Sequence, residues 1–154
     1  MAARGGADRP VSRFVFSYAG PFMALLLVLL GITGNLFSND PLVLAGQLLG
    51  VALIIYARIT FGRQRFNISA TPAEGPLLRR GPYRVIRHPM YTGASLLLFV
   101  TIIGHLSLFT AAIGILVLII IPWRINLEES QLNATYPDYA GYALRTKKLI
   151  PFVY

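Results

Sequence analysis

PMYTGASLLLFVTIIGHLSLFTAAIGILVLIIIPW, residues 89–123, runs for 35 positions without a formal charge. As one straight helix it would reach about 50 Å at 1.5 Å per residue, well beyond a hydrocarbon core of about 30 Å. Two shorter spans fit that thickness. The interruption that would separate them is Gly104-His105-Leu106-Ser107, where glycine and polar residues break the apolar run.

Working outward, Phe14 to Asn39 and Pro41 to Ala57 are also free of formal charge, and Ser38-Asn39-Asp40-Pro41 divides them with turn-forming residues. Four spans are expected, near 14–37, 41–61, 89–104 and 107–126, with 62–88 and 127–154 outside the bilayer. The fold class is then an all-α integral membrane protein forming a single domain over 1–154. A cleaved signal peptide is the competing reading of the N-terminus, but the first apolar run is longer than such a segment needs.

The cations set the orientation. Arg4, Arg9 and Arg13 precede the first span; Arg58, Arg63, Arg65, Arg79, Arg80, Arg84 and Arg87 lie between the second and third; Arg124, Arg145, Lys147 and Lys148 lie at or beyond the end of the fourth. These are all 14 of the Lys and Arg residues, and neither short loop holds one. Four spans put every cationic segment on one side, the cytoplasmic side by the positive-inside rule, with both termini there.

Composition agrees. The chain is 55% hydrophobic and 13% charged, whereas soluble domains average about 25% charged residues. A soluble globular enzyme, a disordered basic tail and a nucleic-acid module are poor fits, despite the net charge of +8. With no cysteine, disulfides, thiolate zinc sites and a cysteine nucleophile are excluded, and no metal ligand set is expected. Gly46-Gln47-Leu48-Leu49-Gly50 is a small-residue motif that lets helix backbones approach closely. Packing within the chain is its ordinary use, and a weak dimer through Gly46 and Gly50 is the alternative to a monomer.

Chemistry is expected in the two segments outside the spans. In Arg87-His88-Pro89-Met90-Tyr91, Pro89 suits the first position of a helix because its missing N–H would be unpaired there anyway. His88 then stands just outside the helix, as a cap or as part of a polar site, and Arg87 meets lipid phosphate. The helix start suits an anion such as a carboxylate. In Arg124-Ile125-Asn126-Leu127-Glu128-Glu129, Arg124 and Glu128 share a helix face where the fourth span leaves the membrane. An ionisable residue at that depth is costly unless it is paired or faces a polar cavity. Snorkelling with a surface ion pair is the simple explanation; a polar pocket lined by Arg124, Glu128, His88 and the tyrosines is the functional one. Tyr136, Tyr139 and Tyr142 serve as interfacial aromatics or line that pocket.

The order of these motifs, G-x-Y at Gly81–Tyr83, H-P-x-Y-x-G at His88–Gly93, a hydrophobic hairpin, R-x-x-x-E-E from Arg124 to Glu129 and a terminal L-I-P, resembles the isoprenylcysteine carboxyl methyltransferases. Their bacterial relatives, and the related phospholipid methyltransferases, share the resemblance, which runs from about Glu74 to Phe152. It implies an integral-membrane enzyme that takes S-adenosylmethionine from the cytoplasm and methylates a lipophilic or prenylated substrate among membrane lipids, with no nucleic-acid partner. It further implies that Tyr83, His88, Pro89, Met90, Tyr91 and Glu128 contact the cofactor. Leu78 would join them through its backbone, since Gly75-Pro76-Leu77-Leu78 stands where the family often has a histidine. Arg124 would orient the substrate, and Arg124, Glu128 and Glu129 form the candidate catalytic set. A carboxylate acceptor needs only a cation to hold it; a phospholipid amine or a small thiol must lose a proton, for which Glu128 or Glu129 is the candidate base. Two other readings stay open: an NADPH-dependent sterol-reductase-like protein, whose Arg79, Arg80 and Arg84 would serve a phosphate, and a lipid-binding scaffold without activity.

Overall fold

The computed structural model describes residues 24–62 and 77–151. A first helical segment, α1, covers 24–32 of the described residues. It is followed by α2 (Pro41–Phe61), a 3-10 turn (Gly81–Arg84), α3 (Pro89–Gly104), α4 (Leu108–Thr135) and α5 (Tyr139–Arg145). Among the described residues the only extended pairing is one parallel bridge, between Ile86 and Lys147.

Local chemistry explains the boundaries. Asp40 caps α2, its carboxylate accepting from the N–H of Leu42 at 2.8 Å, and Pro41 follows in the first turn. Ser107 and Thr110 form a reciprocal capping box that starts α4. Both expected breaks are thus turns whose polar residues satisfy helix ends, and α2 and α3 occupy 41–61 and 89–104 as the charge pattern indicates. Two boundaries differ from expectation. α1 stops at 32 rather than 37, because Gly34 takes a left-handed conformation (φ 71°) and Asn35 N–H closes on Leu30 O at 2.8 Å. α4 continues to Thr135 rather than ending at 126, so its last turns form an extension carrying Glu128 and Glu129. The N-terminal part of the first expected span and residues 63–76 lie outside the described residues.

α2 and α4 are each long and apolar enough to cross a membrane, while α3 is apolar but has 16 residues. Their outward faces are what a lipid solvent requires. Leu42, Ile59, Ile103, Leu108 and Ile119 are all more than 60% exposed, an arrangement that water would penalise and hydrocarbon would not. The interior core joins α1, α3 and α4 through Leu26, Leu30, Leu98, Ile113, Val117, Ile121 and Ile125.

α2 reaches α3 by a different route, through glycine. A Cβ on Gly50 would lie 2.8 Å from Gly93 O, and one on Gly93 would lie 2.6 Å from Gly50 O. Gly46 meets Val100 of α3, so both glycines of the small-residue motif are used in packing within the chain. Beside this seam the buried Gln47 donates to Leu36 O at 2.6 Å and to Thr101 Oγ1 at 2.9 Å. A buried amide is tolerable in such a place only when bonded in this way.

Candidate active site

The site forms where the N-terminus of α3 meets the far end of α4. α3 begins with His88 at the cap position and Pro89 in its first turn. One turn on, Tyr91 turns its ring toward α4. Its hydroxyl accepts a hydrogen bond from Arg124 Nε and donates to Glu128 Oε2 at 3.1 Å. Arg124 and Glu128, one turn apart on α4, are therefore bridged by a phenol from α3. The guanidinium carbon also lies 5.9 Å from the Tyr91 ring centroid, within cation–π range.

Next to this chain lies an ionic hub. Arg87 Nε donates to Glu129 Oε1 at 2.7 Å, His88 Nε2 lies 3.3 Å from the same oxygen, and Lys148 Nζ is 3.5 Å from Oε2. α4, 28 residues long, extends about 42 Å, longer than a hydrocarbon core of about 30 Å, and Glu129 sits in its last two turns. Burial would raise the Glu129 carboxyl, but hydrogen bonds from His88 and Arg87 and their charges outweigh it and hold the group at about 2.

The sequence model of the phospholipid methyltransferase family matches residues 21–139, most of the chain and every residue of the Arg124–Tyr91–Glu128 bridge. The chain belongs to the phospholipid methyltransferase family. It is thereby a membrane methyltransferase, a family related to the isoprenylcysteine enzymes its motifs resemble. No curated protein and no solved structure matches the chain.

In this methyltransferase, Tyr83, His88, Pro89, Tyr91, Arg124, Glu128 and Glu129 converge on one end of the helix bundle. Tyr83 is buried, packs at 6.1 Å against Phe61 of α2, and has a hydroxyl with no hydrogen-bond partner among the described residues. Burial, then the nearby Glu128 charge, push its ionisation upward, so it stays a neutral donor. Tyr142 of α5 donates to Tyr83 O at 2.6 Å and fixes that turn; burial pushes Tyr142 itself up to about 12. Met90 is partly buried in the first turn of α3, and Leu78 is partly buried at the edge of the 3-10 turn. Of the motif before G-x-Y, Glu74, Gly75 and Pro76 lie outside the described residues.

Two expectations change. His88 does not cap α3 with its side chain; its ring is turned to Glu129 instead. Arg87 does not extend to lipid phosphate. Its side chain is 9% exposed and also donates to the carbonyls of Ala143 at 2.7 Å and Thr146 at 2.6 Å. Sequence reasoning missed Arg87 as a member of the hub, and it missed the contribution of the segment after α5. The one available signal was the Arg-His pair directly before Pro89, which reads equally well as a membrane-surface cluster.

Proposed function

We propose that the protein transfers a methyl group from S-adenosylmethionine to a lipophilic acceptor whose carboxylate is held by Arg124, as in isoprenylcysteine-type carboxyl methylation. The observation that carries this is the Arg124–Tyr91–Glu128 bridge, which holds a guanidinium and a carboxylate side by side at one end of the helix bundle.

The residues fit the cofactor. Tyr83 offers a buried hydroxyl with no partner among the described residues, and such a group is costly to leave unsatisfied. The first turn of α3 offers backbone N–H groups at Met90 and Tyr91, where a carboxylate is favoured. Glu128 supplies a negative charge to set against the cofactor's positive centres. When bound, S-adenosylmethionine supplies an electrophilic methyl group on a sulfonium. The chain's own work is alignment and exclusion of water. Arg124 can grip a carboxylate with two parallel bonds, and Tyr91 holds Arg124 by its Nε. A carboxylate is ionised near neutral pH, so no base is needed. Glu129 suits positioning better than proton abstraction, because a carboxyl held at about 2 is a weak base.

A phospholipid amine acceptor is the second reading, favoured by the family match; Glu128 would then have to take the proton. The two readings leave chemically different products. Purified protein in lipid nanodiscs, given S-adenosylmethionine with a labelled methyl group, is offered a prenylcysteine and, separately, phosphatidylethanolamine. Label on the prenylcysteine that alkali releases as methanol marks an ester and supports the carboxylate reading. Alkali-stable label on phosphatidylethanolamine overturns it in favour of the amine. Binding of NADPH in place of S-adenosylhomocysteine would sink both. Arg124→Ala is expected to keep S-adenosylhomocysteine affinity while turnover falls by roughly a hundredfold or more; an equal loss of both would contradict its role as the acceptor clamp.

A further inference from the structure

Arg87 stands where three elements meet: the turn before α3, the last turns of α4 and the end of α5. Its Nε reaches Glu129 on α4, and its Nη1 reaches the carbonyls of Ala143 and Thr146, where α5 ends. Its own backbone N–H donates to Lys147 O at 2.7 Å. Around it the segment after α5 is laid along the segment before α3: His88 N–H donates to Lys148 O at 3.1 Å, Lys147 N–H to Val85 O at 3.0 Å, and Thr92 Oγ1 to Leu149 O at 2.7 Å. The family match ends at residue 139, so these carbonyl partners lie beyond it.

Neighbouring residues on a helix point about 100° apart. Fixing Glu129 on the Arg87 side therefore fixes the direction in which Glu128 leaves α4, toward Tyr91. The planar guanidinium serves the carboxylate from Nε and the two carbonyls from Nη1, whereas an ammonium's three donors radiate from a single nitrogen and cannot span that spacing as well. With the Arg87 side chain 9% exposed and the Glu129 side chain 16% exposed, the pair is shielded enough that losing one partner leaves a poorly solvated charge.

We propose that Arg87 is a positioning residue of the methyltransferase site. Through Glu129 it orients Glu128 and the start of α3, and through Ala143 and Thr146 it fastens the segment 146–149 against the site. The proposal rests on the reading of this site as the S-adenosylmethionine centre.

The test uses the full-length protein in nanodiscs, with two measurements on each variant: calorimetry with S-adenosylhomocysteine, and amide hydrogen exchange at His88 and Lys147. For Arg87→Gln, exchange at both amides is expected to quicken by roughly tenfold or more and affinity to fall by roughly tenfold or more. Arg87→Lys should recover part of each. Unchanged exchange in Arg87→Gln overturns the fastening role. Faster exchange with unchanged affinity also overturns the proposal, because Arg87 would then be a pin with no bearing on the site. If Arg87→Gln does not fold, Glu129→Gln, which keeps the shape and one acceptor oxygen, tests the orienting role instead: affinity is expected to fall by roughly tenfold or more, and unchanged affinity overturns the proposal. An unaltered protein that binds no S-adenosylhomocysteine defeats the cofactor reading and the proposal with it, a failure that no variant is needed to recognise.

Discussion

Glu128 and Glu129 are chemically identical neighbours, and the helix gives them different surroundings. Glu128 accepts from the Tyr91 hydroxyl; Glu129 gathers Arg87, His88 and Lys148. The second environment has a consequence in pH. A carboxyl whose folded value lies near 2, below its usual value of 4.5, stabilises the fold fully above the usual value, where the unfolded chain is also ionised. That stabilisation is lost as pH falls from about 4.5 toward 2. Thermal unfolding followed by Trp123 fluorescence should show the unaltered protein losing more stability between pH 5 and pH 3 than Glu129→Gln does. Because every other acidic residue is common to both proteins, the difference between the two curves isolates Glu129. Coincident slopes would remove the charged hub as a source of stability. At this scale the sequence supplied residue types and spacing but not partners. Arg124 and Glu128 could be placed on one face by their separation of four. Nothing in the chain announced that Tyr91, 33 positions before Arg124, would stand between them, since a tertiary hydrogen bond leaves no periodic trace.

At the scale of elements, helix ends were legible because they are written in local chemistry. Asp40-Pro41 and Ser107 do their capping within a few residues of where they stand. The bridge between Ile86 and Lys147 was not legible, because backbone pairing over so short a length has no side-chain signature. The seam between α2 and α3 lies between these cases: its glycines could be seen, but their partner helix could not. Gly50 and Gly93 face each other so closely that an added Cβ meets backbone atoms, which cannot swing aside. Gly50→Val is expected to destabilise by about 1–3 kcal/mol, the usual cost of overpacking. Gly141 is the contrast, since nothing lies within 4 Å of its would-be Cβ. Gly141→Ala within α5 should be neutral or stabilising by up to about 1 kcal/mol, through helix propensity. Unfolding midpoints of the two variants in one detergent check both signs, and a tolerated Gly50→Val would show that the helices can part at the seam without loss.

For the whole molecule, the decisive number is the height of α3. Its 16 residues rise about 24 Å, some 6 Å short of the hydrocarbon thickness. If the turn at His105–Ser107 reaches the far surface, the start of α3 and the Tyr91 bridge sit slightly inside the near one, at the depth where a chain-bearing acceptor carries its first polar group. The cations among the described residues then lie on the near side, and Asn39, between α1 and α2, lies on the opposite one. The chain has no cysteine of its own, so single introduced thiols report their location without background. In intact cells, Asn39→Cys is expected to react with a membrane-impermeant maleimide, while Lys147→Cys should react only after the membrane is opened. The reverse pattern would invert the orientation and put the site on the side away from soluble cofactor. Labelling of both from one side would remove the crossing of α2 and with it the recessed position of the site. Opposite labelling would make the surplus positive charge an orienting device for a short α3, which holds Tyr91 low enough to meet Arg124 within reach of lipid.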